Sequence, residues 1–200
     1  MPFYFAYGSN MLSSRLKERI PAARSLGKAI LHNFELQFQK MSKDGSTKAN
    51  IVLKEGSKVY GVLYLINNSD RQILDGIEGR GYGYEHLKVY VETDQTKPNR
   101  KIDPIVDALT YISPLDYLAS TYTFQRIKWL PYNWYKKFCV DGAIEHKLPN
   151  SYIKELEKVK SKIDDGNRKF LGHEGKEWLP KFLWEIRDRR SFYGYKNYKL

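Results

Sequence analysis

Pro2-Phe3-Tyr4-Phe5-Ala6-Tyr7-Gly8-Ser9-Asn10 is an apolar, aromatic run that breaks at a glycine, the pattern of a β-strand entering a tight turn. Just beyond it, Met11, Leu12, Leu16 and Ile20 fit a short helix closed by Pro21. No Gly-rich phosphate motif follows this strand or any later one. A nucleotide-binding opening is therefore not expected.

Working outward, a period of two runs from Ala29 to Gln39, with Leu31, Asn33, Glu35 and Gln37 set against Phe34, Leu36 and Phe38. That alternation predicts a long strand. Ser42 to Thr47, containing Asp44-Gly45, reads as a turn. Ile51–Leu53 and Val59–Ile66 are short β-rich runs that could pair with each other through Glu55-Gly56. Asn68 or Ser69 offers an N-cap to a short helix ending at Glu78-Gly79. Leu87–Glu92 and Ile105–Ile112 alternate again as strands. The pattern turns helical from Asn133 to Leu148, stops at Pro149 and restarts at Ser151, with Tyr152, Leu156, Val159 and Ile163 on one stripe. The sum is an α+β chain: a small mixed, mainly antiparallel β-barrel of five to six strands flanked by helices. Asp164-Asp165-Gly166-Asn167 reads as a hinge, so one domain is expected over residues 1–165, followed by a basic, aromatic extension over 166–200 with a helical stretch at Glu174–Arg189.

Composition agrees with a packed domain. The chain has 200 residues, of which 42% are hydrophobic and 14% aromatic, enough to bury a core. No apolar run approaches the ~18 residues that a membrane span needs. The start lacks the basic stretch and apolar core of a signal peptide. A single cysteine, Cys139, excludes an intrachain disulfide and a multi-cysteine metal site. These features predict a cytoplasmic protein with no membrane partner. The formal net charge of +11 raises the question of nucleic acid. Its excess belongs to the two ends, +5 in residues 1–50 and +5 in residues 151–200, while residues 51–100 balance at zero. Nucleic acid is therefore not the expected partner, and a homodimer is left open.

Two segments have the residue types for chemistry. In Tyr7-Gly8-Ser9-Asn10, Gly8 lets a ligand approach the backbone. The following amides, at a helix start, would face an anion or a developing oxyanion. A plain turn capped by Ser9 or Asn10 explains the same letters. In Leu74-Asp75-Gly76-Ile77-Glu78-Gly79, Asp75 and Glu78 are three apart in the last turn of a helix. Two carboxylates set against the macrodipole tend toward raised pKa values, the direction useful to a general acid or base. Only Arg71 and Arg80 are local partners, and an exposed helix end explains this segment equally. His32, His86, His146 and His173 show no ligand spacing, and Cys139 reads as a small buried hydrophobe.

Taken together, these segments resemble the γ-glutamylcyclotransferase family. Tyr4-Phe5-Ala6-Tyr7-Gly8-Ser9-Asn10-Met11 is similar to its opening strand and substrate loop, and Leu74-Asp75-x-x-Glu78-Gly79 to its catalytic helix end. Tyr135-Lys136-Lys137, then Gly142-Ala143 and Leu148-Pro149, resemble its later pocket-tyrosine segment. The likeness covers roughly residues 3–163. Gly81-Tyr82-Gly83-Tyr84 stands where the family has a Gly-x-Tyr element, in a register that leaves Tyr82 and Tyr84 both open as the tyrosine closing the pocket.

The resemblance implies an enzyme that needs no metal or other cofactor. A small γ-glutamyl compound would carry its own nucleophile, the α-amine, and cyclise to 5-oxoproline with release of a free amino acid. Glu78 would be the general acid/base. Tyr4, Phe5, Ala6, Tyr7, Gly8, Ser9 and Asn10 would form the substrate loop, and Tyr135 would add a phenol hydrogen bond. A γ-glutamylamine (isopeptide) cyclotransferase, or a non-catalytic nucleic-acid-binding protein on the same scaffold, are the alternatives.

Overall fold

The computed structural model describes residues 2–42, 44–80, 83–95, 102–114 and 129–164. The expected extension over 166–200, with its helical stretch, lies outside them. Strand β1 (Phe3–Ala6) runs into a 3-10 turn (Ser9–Met11) and helix α1 (Ser13–Arg19). Strands β2 (Arg24–Met41) and β3 (Thr47–Leu65) follow, then α2 (Asn68–Ile77), β4 (Glu85–Thr93) and β5 (Ile105–Ile112). Helices α3 (Asn133–Glu145) and α4 (Asn150–Lys158) complete the described chain.

The five strands close into a barrel in the order β1-β3-β2-β4-β5. All pairs are antiparallel except the closing one, where β1 meets β5 in parallel at Tyr4 and Leu109. The mixed, mainly antiparallel barrel is thus the one the alternation predicts. No helix among the described residues is long and apolar enough to cross a membrane.

One pairing differs from the sequence expectation. Ile51–Leu53 and Val59–Leu65 do not form a hairpin with each other; they are the two halves of β3, and both pair with β2. Leu53 opposes Phe34 and Lys58 opposes His32, so Lys54 to Ser57 bulge out against Asn33. Gly56, with φ +74°, supplies the left-handed residue of that bulge, and Asn33, with φ +61°, answers it. Glu55-Gly56 is a turn signal in sequence because a bulge and a hairpin both need positive φ. Which one forms depends on whether a third strand lies alongside. Here β2 is 18 residues long and reaches past the bulge on both sides.

Helix α2 also begins one residue earlier than its candidate caps. Asn67 accepts from the Asp70 amide at 2.7 Å while Asp70 Oδ2 accepts from the Asn67 amide at 3.1 Å, a reciprocal capping box. The buried core includes Phe5, Ile51, Val62, Leu63 and Val91 of the barrel strands, and Met11, Leu16 and Ile20 continue it around α1. Helix α3 lies against the 3-10 turn at Gly142. A Cβ there would stand 2.5 Å from the Leu12 nitrogen and 2.8 Å from Met11 Cβ. The helix can therefore approach the loop only because residue 142 has no side chain.

Candidate active site

Strand β1 ends at Ala6, and the chain turns through Tyr7 and Gly8 at one mouth of the barrel. Gly8 occupies the N-cap position of the 3-10 turn, with no side-chain capping bond. Ser9 and Asn10 are therefore not caps. Both are buried, and both line a pocket together with Gly8. A Cβ on Gly8 would lie 3.1 Å from Ala49 Cβ and 3.3 Å from Tyr135 Oη. Backbone is thus brought close to the pocket where a side chain would fill it.

The remaining lining comes from across the fold: Tyr4 from β1, Ala49 from β3, Glu78 after α2, Tyr84 before β4, Tyr111 from β5 and Tyr135 from α3.

Among the described residues, Glu78 is the only acidic one in that lining. It caps the C-terminal end of α2, and its side chain is 17% exposed. Asn10 Nδ2 donates to Glu78 Oε1 at 3.1 Å and Arg19 Nη1 donates to the same oxygen at 3.0 Å. Arg19 Nη1 also donates to Asn10 Oδ1 at 3.0 Å. That bond fixes the amide orientation, so Nδ2 faces Glu78 and Tyr4 Oη, the latter at 2.9 Å. Every hydrogen bond to Glu78 among the described residues goes to Oε1. Oε2 accepts none from the described residues.

Five phenols surround this carboxylate. Burial pushes the hydroxyls of Tyr4, Tyr84, Tyr111 and Tyr135 well above the ordinary tyrosine range, so all four are neutral hydrogen-bonding groups at any working pH. The amide of Ala49 donates to Tyr135 Oη at 3.1 Å, and Tyr84 Oη donates to the Ala49 carbonyl at 2.7 Å. Tyr7 donates to the Tyr111 carbonyl. Among the described residues, no group of three His, Cys, Asp or Glu side chains is placed to hold a metal ion.

The two acidic residues of the Leu74–Gly79 segment do not act on each other as their spacing predicts. Asp75 has its own partners: Tyr111 Oη donates to Oδ1 at 2.6 Å, His86 Nε2 meets the same oxygen, and Arg80 lies 3.4 Å from Oδ2. Burial raises the Asp75 pKa, but the bonds from Tyr111 and His86 outweigh it, and the net direction is down. The expected upward shift is overturned at Asp75 because partners distant in sequence reach it.

The structure brings Tyr4, Tyr7, Gly8, Ser9, Asn10, Glu78 and Tyr135 to one pocket. Phe5 and Ala6 do not line it. They are 0% and 1% exposed, and they sit in the barrel wall, paired with Leu63 and Val62. Of the two candidate closing tyrosines, Tyr84 is in the lining and Tyr82 lies outside the described residues. Sequence reasoning missed Arg19, Ala49 and Tyr111. Arg19 carries no local signal, since Glu78 is 59 positions away. Tyr111 is marked in sequence only as an alternating strand residue.

Comparison with known proteins gives a consistent picture. The AIG2-like family matches residues 58–156. The chain is 31% identical over 173 residues to the gamma-glutamylcyclotransferase of Mus musculus, spanning 81% of this chain and 83% of that protein. It is 32% identical over 162 residues to the one from Homo sapiens, spanning 78% and 77%. A solved gamma-glutamyl cyclotransferase superposes with a TM-score of 0.66 at 25% identity, covering 94% of this chain and 98% of that one. A crystal structure of a Homo sapiens protein gives a TM-score of 0.64 at 26% identity, covering 82% and 94%.

Proposed function

We infer the activity from one premise: this chain belongs to the gamma-glutamylcyclotransferase family. It is a gamma-glutamylcyclotransferase, an enzyme that turns a γ-glutamyl amino acid into 5-oxoproline and the free amino acid.

The reaction needs no nucleophile from the protein. The substrate's α-amine attacks its own γ-carbonyl carbon, a five-membered lactam closes, and the bond from that carbon to the distal nitrogen breaks. Two protons leave the α-ammonium nitrogen and two arrive at the departing nitrogen, so a single acid/base group can carry both in turn. Holding the amine against the carbonyl supplies most of the rate, since well-oriented intramolecular reactions reach effective molarities of roughly 10⁵–10⁸ M.

In this reading Glu78 is the proton carrier, a role worth about 10²–10⁴-fold. The observation that carries it is the asymmetry of its carboxylate. Oε1 is held by Asn10 and Arg19, while Oε2 has no hydrogen-bond partner among the described residues in the pocket that Glu78 lines. A base held by one oxygen keeps its position while the other gains and loses a proton. The backbone amides of the Gly8–Asn10 turn serve the substrate's carboxylate or the oxyanion, and Tyr135 adds a phenol contact.

Glu78→Gln tests the reading. The variant keeps shape and hydrogen bonds to Oε1 but cannot take a proton. It is expected to fold normally and to release no 5-oxoproline from γ-glutamyl-alanine. Turnover at the unsubstituted rate would remove Glu78 from the role.

A further inference from the structure

The pocket phenols differ in the direction of their hydrogen bonds, and that direction sets what each can offer a ligand. A carbonyl only accepts, so Tyr84 must spend its O–H on the Ala49 carbonyl, 2.7 Å away. Tyr111 Oη lies 2.6 Å from Asp75 Oδ1. His86 and Arg80 also face the Asp75 carboxyl, and three donors around one carboxyl keep it an acceptor. Tyr111 therefore spends its O–H on Asp75. Both phenols then present oxygen lone pairs, and no proton, to the pocket they line. Tyr4 is the opposite case: its oxygen accepts from Asn10 Nδ2, so its O–H remains to donate.

Lone pairs turned inward are suited to a cation, and the substrate carries one. Resting on the reading above, we propose that Tyr111, oriented by Asp75 with His86 and Arg80 behind it, is the acceptor that binds the substrate's α-ammonium, with Tyr84 as a second acceptor. Tyr111 lines the same pocket as the acid/base group Glu78. The Tyr4 ring packs edge-on against Tyr111 with centroids 5.9 Å apart, which restricts the ring's position. The bond to an anion also polarises the phenol, and a phenol oxygen whose proton is given to a carboxylate is a stronger acceptor. Tyr111 thus selects substrates with a free α-amine. Asp75 and His86 are positioning residues that act through it.

The test compares two ligands that differ only in that amine: γ-glutamyl-alanine, and N-glutaryl-alanine, which lacks it and cannot cyclise. Tyr111→Phe is expected to raise KM for γ-glutamyl-alanine about tenfold, the loss associated with a hydrogen bond to a charged group. It should leave the inhibition constant of N-glutaryl-alanine unchanged. Asp75→Ala frees the Tyr111 O–H to point at the ammonium and should raise KM by at least as much. The Tyr111→Phe, Asp75→Ala double variant should be no worse than the poorer single one, since Asp75 acts through Tyr111. Equal weakening of both ligands, or additive losses in the double variant, would overturn the proposal. Should Tyr111→Phe fail to fold, Asp75→Ala alone reads the same contrast between ligands. If the unsubstituted enzyme turned over no γ-glutamyl compound, the functional reading would fail separately. Calorimetric binding of the two ligands to the same variants would still decide the ammonium site, with equal losses for both overturning it.

Discussion

Arg19 Nη1 stands 3.0 Å from Oε1 of Glu78, an ion pair that joins the end of the first helix to the residue capping the second. The same nitrogen orients the Asn10 amide, so one guanidinium fixes both groups that hold the carboxylate. We predict that Arg19→Leu slows 5-oxoproline release about tenfold to hundredfold, the equivalent of a charge-assisted bond of about 1.5–3 kcal/mol. Asn10→Ala removes a second donor to the same oxygen. The double variant should lose less than the two single losses combined, because both residues act on one atom. A cycle in kcat/KM measures this coupling.

Gly142→Ala sets two effects against each other. Alanine favours a helix interior by about 1 kcal/mol over glycine. Its Cβ would lie 2.5 Å from the Leu12 nitrogen and 2.7 Å from the Met11 carbonyl carbon, both backbone. Backbone cannot step aside as a flexible side chain can, so the clash wins. The variant is expected to be less stable by about 1–3 kcal/mol in urea unfolding. Activity should fall too, since the atoms displaced continue directly from Ser9 and Asn10.

Cys139 is buried on α3. Burial pushes its thiol up to about 12, so almost no thiolate exists near neutrality. Iodoacetamide at pH 8 should leave activity unchanged over a period in which the urea-unfolded chain is fully labelled. Rapid loss of activity in the native enzyme would contradict the buried thiol.

Asp75 links stability to pH. Its folded pKa is depressed, so its contribution is present above the ordinary carboxylate value of about 3.9 and is lost as pH falls through the folded value. In Asp75→Asn that dependence is absent. The difference in urea midpoint between the two proteins should hold from neutrality to about pH 5 and then shrink on further acidification. A difference that grows below pH 4 would reverse the sign argued here.

Much of the barrel is legible as alternation. Ile105–Ile112 is observed with the bounds its period predicts, and β2 extends past its predicted ends because pairing with β3 carries the strand beyond the alternating run. The loop is legible too, since Tyr7-Gly8-Ser9-Asn10 follows an apolar strand directly. What could not be read there is which way Ser9 and Asn10 point. A cap and an inward-facing residue use the same letters, and the choice rests on Arg19 and Glu78, which meet Asn10 only after folding.

By itself, then, the sequence determined the strand and helix types, the glycine at which the loop after the first strand turns, and the carboxylate three residues beyond Asp75. These are local properties, set by backbone sterics and by periods of two and 3.6 residues. The tertiary structure alone decided that Asp75 and Glu78 have separate partners, one reaching Tyr111 and His86, the other Asn10 and Arg19. It also decided that Phe5 faces the barrel wall while Tyr84 and Tyr111 face the pocket. The physical reason is range. A side chain's protonation and the direction of its hydrogen bonds follow from neighbours within about 4 Å, and in a closed barrel those neighbours come from residues distant along the chain.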